Sequence, residues 1–509
     1  MMTAKISDSP ESPRLSALLA AIATVSPEDD RVVLGLTMDS RRVRPGDVFF
    51  ACRGHQADGH AFIADAVRYG AVAVIYESPY DKLPALPVRV PMIPVPELAQ
   101  KIGIIAERFY RHPTRSMFVV GVTGTNGKTS TTHFIAHGLS KGVITPCGLI
   151  GTLGSGVYGN LNPGLHTTPD PVTLHALLAE VRDAGAKDAV MEVSSHGLEQ
   201  GRVTGVEYAA AVFTNLTRDH LDYHGSMENY ARAKRRLFTR PSLNWVIVNV
   251  DDAESPAVIA EAPAHAHVIA FSLHGATIQS TRHIAYVHGH IVRSDMSGIE
   301  LALRGDFGDA TLRTQLIGEF NASNLLAALC VLLCRGLLID EAAARLATVR
   351  PVAGRLETFG GKNGRPLVVV DYAHTPDALE KVLAALRSVC RGKLWAVFGC
   401  GGNRDRGKRG QMGAIAERAA DHFVLTDDNP RQEDPAAIVA EILGGMRDPR
   451  RAKVIHARAE AIAYAVGGAG SDDVVLIAGK GHEDYQEIHG QRRPFSDRQQ
   501  AMWLVGEAE

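Results

Sequence analysis

Residues 117–132 read MFVVGVTGTNGKTSTT, and this stretch decides how the middle of the chain folds. It predicts a buried strand, a glycine-rich loop and a helix that opens at Lys128. Glycines let backbone N–H groups approach phosphate oxygens, and the helix N-terminus adds its positive dipole end. Lys128 would then reach the terminal phosphates and Thr129 would hold Mg²⁺. The strict spacing G-x-x-x-x-G-K-[ST] fails because Gly121 comes one residue too early. An ordinary strand-to-helix turn is the alternative.

On both sides of this loop, short runs rich in Val, Ile and Ala alternate with helical patterns. Uniformly apolar strands suit parallel sheets that are covered on both faces. Residues 377–389 place Leu379, Val382 and Leu386 on one helical face. The sequence therefore predicts an α/β fold. Its strand candidates are 71–76, 117–122, 188–193, 209–214, 245–250, 367–372, 394–398, 421–426 and 473–478.

A chain of 509 residues is too long for one hydrophobic core. RHPTR at 111–115 precedes a new strand, and RPVAGR at 350–355 follows a long helical pattern rich in Leu and Ala. These two stretches predict three domains, at residues 1–112, 113–350 and 351–509.

Composition and charge argue against a nucleic-acid-binding, membrane or secreted protein. A formal net charge of −2 gives no reason to expect nucleic acid or an anionic membrane as a partner. Six cysteines form no CxxC pair, which favours buried thiols in a reducing compartment. The N-terminal segment has Pro, Asp and Glu where a signal peptide needs an apolar core, and no run reaches 18 apolar residues. We therefore expect a soluble, cytoplasmic protein.

Many separate motifs, in order along the chain, are similar to those of one enzyme family. They are DSRRVRPGDVFFA (39–51), GHQADGH (54–60), GTNGKTS (124–130), TTPD (167–170), MEVSSHGL (191–198), TNLTRDHLDYHGSMENYARAK (214–234), GEFNASN (318–324), AGRLE (353–357), DYAHTPDAL (371–379), GCGGNRDRGKR (399–409), DDNPR (427–431) and AGKGHEDYQ (478–486). From about Asp39 to Arg498 the chain resembles the Mur ligases, the ATP-dependent enzymes that build the peptide of the bacterial cell-wall precursor. The resemblance implies an N-terminal α/β domain for the UDP end of the substrate, a central P-loop ATPase domain with a mostly parallel sheet, and a C-terminal Rossmann-like domain that brings the amino acid.

The resemblance also implies a reaction. The γ-phosphate of ATP is transferred to a substrate carboxylate, and an amine then attacks the acyl phosphate. DNPR at 428–431 marks the type that adds meso-diaminopimelate, rather than lysine, to UDP-N-acetylmuramoyl-L-alanyl-D-glutamate. Such chemistry requires charge neutralisation around the phosphoryl group, so we expect ATP with Mg²⁺ and no catalytic Ser or Cys. We expect a monomer that has no nucleic-acid or membrane partner.

Four residues match the family's catalytic positions: Lys128, Glu192, His220 and Lys234. The implied metal ligands are Thr129, Glu192, His220 and Lys234, the last as a carbamate (N6-carboxylysine). Glu192 closes a strand, where a carboxylate would meet Mg²⁺ at the carboxyl edge of a parallel sheet. The alternatives are a solvent-facing strand end for Glu192 and a polar loop residue for His220. For Lys234 the residues alone favour a solvated helix surface, because arginines surround it.

Three sets of ligand contacts follow from the same resemblance. The ATP set is Gly124, Thr125, Asn126, Gly127, Lys128, Thr129, Ser130, Asn321, Asn324, Arg355 and Asp371. The set for the UDP substrate is Ser40, His55, Gln56, Thr167, Thr168, Ser194, Gln200 and Arg202. The diaminopimelate set is Arg404, Asp428, Asn429, Pro430, Arg431, Gly479 and Glu483. In the ATP set, the Asn amides suit the base, Arg355 suits phosphate and Asp371 suits the ribose hydroxyls.

Three alternative functions differ in their substrates. A lysine-adding ligase of the same architecture is disfavoured by Arg431, and a folylpolyglutamate synthetase by the motifs of the UDP side. A P-loop regulatory protein would have no use for DNPR or TTPD. The pairs His265 with His267 and His288 with His290 alternate as strand-borne metal ligands might, but they lie outside every motif and favour exposed strand faces.

Overall fold

The computed structural model describes residues 12–54, 57–86, 88–140, 145–164, 166–295, 297–362 and 364–507. The chain forms two compact units. The first contains the residues up to 121 together with 139–210 and 240–243, and the second contains 122–138, 211–239 and the residues from 244 onward. Within the described ranges no helix is long and apolar enough to cross a membrane.

The N-terminal part of the first unit is built on a small parallel sheet. Its elements are α1 (Leu15–Leu18), β1 (Gly35–Thr37), β2 (Asp47–Ala51), α2 (Ile63–Arg68), β3 (Ala73–Ser78), β4 (Met92–Pro96) and α3 (Ile102–Phe109). The strands pair in the order β1–β2–β3–β4, all parallel. Phe50, Ile75, Ile105 and Phe109 are buried in the core on one side of this sheet.

The middle of the chain contributes to both units. Its elements are β5 (Phe118–Thr123), α4 (Lys128–Leu139), β6 (Cys147–Gly151), β7 (Gly154–Val157), β8 (Asn160–Asn162), α5 (Pro171–Asp183), β9 (Asp188–Glu192), α6 (Ser195–Glu199), β10 (Ala210–Phe213), α7 (Leu221–His224), α8 (Met227–Arg235), β11 (Trp245–Asn249), α9 (Ser255–Glu261), β12 (His267–Ser272), β13 (Ile284–Asp295), β14 (Gly298–Gly305), β15 (Ala310–Thr314), α10 (Glu319–Cys334) and α11 (Ile339–Leu346). In the first unit β6 pairs parallel with β9 and antiparallel with β7. In the second unit β11, β12 and β13 are parallel, whereas β13, β14 and β15 are antiparallel.

The C-terminal part lies wholly in the second unit. Its elements are β16 (Glu357–Gly360), β17 (Leu367–Asp371), α12 (Pro376–Val389), β18 (Leu394–Phe398), α13 (Gly407–Ala419), β19 (His422–Leu425), α14 (Pro435–Leu443), β20 (Lys453–Val454), α15 (Arg458–Gly468), β21 (Val474–Ala478), β22 (Tyr485–Ile488), β23 (Gln491–Pro494) and α16 (Asp497–Val505). One sheet has the order β16–β17–β21–β18–β19–β20, and all of its pairs except β16–β17 are parallel. Apolar clusters cover both faces of this sheet.

The predicted α/β class is confirmed. All nine strand candidates are strands of the structure, with ends displaced by at most two residues. The helix predicted at 377–389 is α12, which Thr375 caps by accepting the backbone N–H of Ala378. The sequence patterns did not identify the remaining strands, among them β2, β6, β12 and β14. They also did not identify β13, where a register shift after Ile291 breaks the alternation of buried and exposed residues.

Candidate active site

The glycine-rich loop between β5 and α4 has the predicted strand–loop–helix order. Gly124 has a φ of 152° and Gly127 a φ of 84°. A Cβ atom would lie 1.9 Å from Thr214 Oγ1 at Gly124 and 2.4 Å from Asn324 Oδ1 at Gly127, so both positions require glycine. Lys128 Nζ donates to the carbonyl oxygens of Gly124 and Thr125, each at 2.9 Å. The loop therefore wraps around the ammonium group of its own lysine.

Lys234 lies next to this loop. Its side chain is buried, with 2% exposed, and Nζ donates to the Gly124 carbonyl at 2.7 Å and lies 4.5 Å from the centroid of the Tyr230 ring. Burial, and then the charge of Lys128, hold the pKa of Lys234 well below its usual range. The interpretation of Lys234 as solvated helix surface is wrong. Tyr230, Lys234 and Leu237 share one buried stripe of the helical segment, and this spacing is the signal that could have revealed it.

Asp219 is a buried carboxylate that no motif-based argument had singled out. His220 Nε2 lies 3.3 Å from it, His374 Nε2 3.6 Å and Lys408 Nζ 3.8 Å. Burial alone would raise the pKa of Asp219, but the hydrogen bond from His374 and the charges of His220 and Lys408 hold it well below its usual range. His220 itself has a φ of 55° and occupies the N-cap position of α7. The carboxylate therefore ties His220 to two residues of the C-terminal part.

Arg355 and Asn324 meet the phosphate loop. Arg355 Nη2 donates to Thr129 Oγ1 at 3.2 Å, and its guanidinium lies 4.3 Å from the centroid of the Tyr372 ring. Asn324 Oδ1 accepts a hydrogen bond from Thr131 Oγ1 at 3.2 Å. These side chains thus belong to the same neighbourhood as the loop glycines.

Two predicted nucleotide contacts outside the loop, Asn321 and Asp371, form hydrogen bonds with backbone groups. Asn321 Nδ2 donates to the Ile317 carbonyl at 2.9 Å. Asp371 is buried at the end of β17, and its Oδ2 accepts the backbone N–H of Leu356 at 2.8 Å. Burial raises the pKa of Asp371. Both side chains are therefore fixed by local contacts.

Glu192 is the last residue of β9 in the first unit, and only 1% of it is exposed. Its Oε1 accepts the backbone N–H of Thr152 at 2.8 Å, and its Oε2 accepts from Thr152 Oγ1 at 3.2 Å. Glu192 is therefore a buried, oriented carboxylate, and the solvent-facing alternative is wrong.

Several predicted contacts of the UDP substrate surround Glu192. Thr167 Oγ1 lies 2.9 Å from Thr152 Oγ1, and Thr168 Oγ1 donates to the Glu192 carbonyl at 2.9 Å. Thr168 Oγ1 also accepts the backbone N–H of Ser194, and the Thr168 carbonyl accepts from Arg202. Of the remaining predicted contacts of the UDP substrate, Gln200 accepts a hydrogen bond from Arg202 at 2.6 Å, and Ser40 is buried. His55 and Gln56 lie outside the described residues.

Arg431 lies in a loop after β19 and has a φ of 53°. Its Nη1 donates to the Gly402 carbonyl at 2.9 Å, and its Nε lies 3.6 Å from Glu487 Oε2. Only 20% of its side chain is exposed. Arg404 is exposed, and its Nη1 donates to the Asn403 carbonyl. Glu487, which no motif singled out, therefore gives Arg431 an anionic neighbour before any ligand binds.

The other predicted contacts of diaminopimelate form one cluster. Asn429 Nδ2 donates to Glu483 Oε2 at 2.8 Å. At Gly479 the φ is 116°, and a Cβ atom would lie 3.1 Å from Asp428 Oδ2. Lys480, which the sequence did not single out, donates to both Asn429 and Glu483. The structure thus joins Asp428, Asn429, Gly479 and Glu483 through a buried lysine.

Comparisons with known proteins identify the family of the chain. The chain matches the catalytic domain of the Mur ligase family over residues 32–110, the Mur ligase middle domain over 122–332 and the glutamate ligase domain over 354–481. It is 49% identical to the UDP-N-acetylmuramoyl-L-alanyl-D-glutamate–2,6-diaminopimelate ligase of Pseudomonas aeruginosa, over 93% of the chain and 95% of that protein. The protein of the same name from Alkalilimnicola ehrlichii is 46% identical, over 97% and 99%.

Solved structures give the same result. A structure of a ligase of that name has a TM-score of 0.67 and 36% identity, and the match covers 97% of the chain and 99% of that structure. The MurF ligase of Thermotoga maritima in complex with ADP shares the fold, with a TM-score of 0.64 at 19% identity over 93% and 97% of the two chains. The chain therefore belongs to the Mur ligase family. It has the three-domain α/β fold of these ATP-dependent ligases, which excludes the regulatory-protein alternative.

Proposed function

We propose that this enzyme adds meso-diaminopimelate to the D-glutamate carboxylate of UDP-N-acetylmuramoyl-L-alanyl-D-glutamate, in the synthesis of the peptidoglycan precursor. The observation that carries the proposal is the identity of 46–49% to ligases of that name over at least nine-tenths of the chain. Arg431 and Glu483 support the same amino acid. The Arg431 guanidinium can bind a carboxylate of diaminopimelate, and the Glu483 carboxylate can bind one of its ammonium groups.

The first step transfers the γ-phosphoryl group of ATP to the substrate carboxylate. We assign Lys128 the role of neutralising negative charge on that group, since its ammonium group lies inside the loop. Thr129, Glu192, His220 and carbamylated Lys234 would hold Mg²⁺, which prefers oxygen ligands such as the oriented carboxylate of Glu192. When bound, Mg²⁺ offsets charge on the phosphates.

Lys234 has the environment that a carbamate requires. Its lowered pKa favours the uncharged amine, and an uncharged amine can add to CO₂ with loss of one proton to give a carbamate. Lys128 and Lys234 both donate to the Gly124 carbonyl, so that protonation of Lys234 would place two cations on one acceptor. Conversion of Lys234 into an anion would replace this repulsion by attraction.

We assign the remaining contacts by ligand. The ATP contacts are Gly124, Thr125, Asn126, Gly127, Ser130, Asn321, Asn324, Arg355 and Asp371. Those of the UDP substrate are Ser40, His55, Gln56, Thr167, Thr168, Ser194, Gln200 and Arg202. Arg404, Asp428, Asn429, Pro430, Arg431, Gly479 and Glu483 would bind diaminopimelate, whose amine then attacks the acyl phosphate and displaces phosphate.

Three further points belong to the proposal. Domain boundaries are proposed at 1–112, 113–350 and 351–509. We propose a monomer without nucleic-acid or membrane partners, which light scattering in solution would test. We also propose that it works in the cytoplasm, where its six cysteines, which form no disulfide in the described residues, would stay reduced.

Phosphate release tests the function directly. The purified enzyme should release phosphate from ATP only when both the UDP-linked dipeptide and meso-diaminopimelate are present, and the product should have the mass of the UDP-linked tripeptide. L-Lysine and L-ornithine in place of diaminopimelate should give little product. Equal turnover with lysine would refute the assigned amino acid, and phosphate release without any amino acid would refute the ligase reaction.

A further inference from the structure

A buried lysine lies among the proposed contacts of the amino acid. Lys480 follows β21, and none of its side chain is exposed. Its Nζ donates to Asn429 Oδ1 and to Glu483 Oε2, each at 3.0 Å, and lies 3.6 Å from Asp428 Oδ1. A buried ammonium group is costly unless it is paired. Here its three partners are all residues that we propose to contact diaminopimelate.

Lys480 fixes the orientation of the Asn429 amide. Asn429 Oδ1 accepts from Lys480 Nζ and from the backbone N–H of Glu487 at 2.9 Å. A flipped amide would place its NH₂ group against these two donors, which offer no acceptor. The NH₂ group therefore points the other way, toward Glu483 Oε2. The ammonium group of Lys480 thus selects one of the two amide orientations.

Glu483 and Asp428 depend on the same ammonium group. Among the described residues, the two side-chain donors to Glu483 are Lys480 Nζ and Asn429 Nδ2, and both bind its Oε2. Its Oε1 is therefore the oxygen that a ligand ammonium would approach. Asp428 Oδ1 is buried and has no hydrogen-bond partner within the described part of the chain. The charge of Lys480 at 3.6 Å stabilises this carboxylate.

We propose that Lys480 is a positioning residue that determines how tightly the site binds a diamino acid. It orients Asn429 and Glu483 so that one carboxylate oxygen receives the ammonium group of the incoming amino acid. This inference rests on the proposed function, because it takes diaminopimelate as the ligand. It adds to the proposed contacts of diaminopimelate a side chain that acts through its neighbours.

Lys480→Met tests the proposal, because methionine has a similar length and carries no charge. We expect the KM for diaminopimelate to rise about 10- to 100-fold, the scale of lost hydrogen bonds to charged groups. The KM values for ATP and for the UDP-linked dipeptide should stay within about twofold, since none of the contacts proposed for those ligands lies in the cluster. Lys453→Met, at an exposed lysine of the same part of the chain, is the matched control and should leave all three KM values unchanged.

A double-variant cycle distinguishes positioning from general destabilisation. If Lys480 acts through Glu483, then Lys480→Met combined with Glu483→Gln should have nearly the KM of Glu483→Gln alone. Additive losses, or an equal rise of all three KM values, would overturn the inference. If Lys480→Met does not fold, Lys480→Arg, which keeps the charge but changes the geometry, takes its place in the cycle.

The two proposals fail in different ways. If the wild-type enzyme does not use diaminopimelate, the proposed function is wrong whatever the Lys480 variants do. If the wild type uses it and Lys480→Met keeps the wild-type KM, the positioning role alone is wrong.

Discussion

Arg431→Ala and Arg431→Lys test how the enzyme selects diaminopimelate over lysine. Diaminopimelate carries a carboxylate at the end where lysine has none, and the planar guanidinium can bind it with two parallel hydrogen bonds. If Arg431 were buried without a partner when lysine binds, the discrimination would be about 2–5 kcal/mol.

The contacts of Arg431 in the structure lower the expected discrimination between diaminopimelate and lysine. Glu487 Oε2 lies 3.6 Å from the guanidinium, and the Gly402 carbonyl accepts from it at 2.9 Å, so that Arg431 is not left unpaired when lysine binds. Hydrogen bonds to a charged group then set the scale, at about 1.5–3 kcal/mol. At 1.36 kcal/mol per decade this corresponds to about 10- to 150-fold in kcat/KM.

The assay compares kcat/KM for diaminopimelate and L-lysine in each variant. In Arg431→Ala the value for diaminopimelate should fall about 10- to 150-fold while that for lysine changes little, and Arg431→Lys should lie between. Arg450→Ala, at an exposed arginine, serves as the control. Glu487→Gln should increase the preference for diaminopimelate, because Arg431 then lacks its anionic neighbour when lysine binds. If both Arg431 variants keep the wild-type preference, the reasoning is refuted.

Three further predictions concern catalysis and stability. Lys128→Ala should lower kcat about 10²–10³-fold, the scale of one electrostatic contact to the transition state, and near-normal turnover of a folded variant would contradict this role. Lys234→Ala should be inactive and partly rescued by acetate, which can occupy the site of the carbamate; activity without added carboxylate would argue against the modification. Burial lowers the pKa of His133 to about 4, below the value of about 6.5 in an unfolded chain. The unfolded state therefore binds more protons in this interval, and as pH falls from 7 to 4 the free energy of unfolding should drop by up to about 3 kcal/mol more in the wild type than in His133→Gln, as urea denaturation would measure.

The strands that could be predicted from the sequence share one property: they are buried on both faces. Val368, Val369 and Val370 in β17 are all fully buried, so a continuous apolar run is the expected signal. In β13, by contrast, Gly289 is buried between His288 and His290, and a register shift follows. Such a strand has no uniform period, and the pattern that identified the parallel strands could not identify it.

At the candidate site the motifs identified the loops that carry the site residues. The contacts between those loops depend on the order of the strands in the sheet. The loops after β18, β19 and β21 all leave the carboxyl edge of one parallel sheet, with β18 between the other two strands. Sequence order separates Asn429 from Lys480 by about fifty residues, yet this strand order brings their side chains to 3.0 Å. Lys480 stands beside Gly479 in a recognised motif, but only the neighbouring loop makes its ammonium group a partner of Asn429 and Glu483. A motif therefore identifies the residues that touch a ligand more readily than the residue that orients them, because orientation is a contact between motifs.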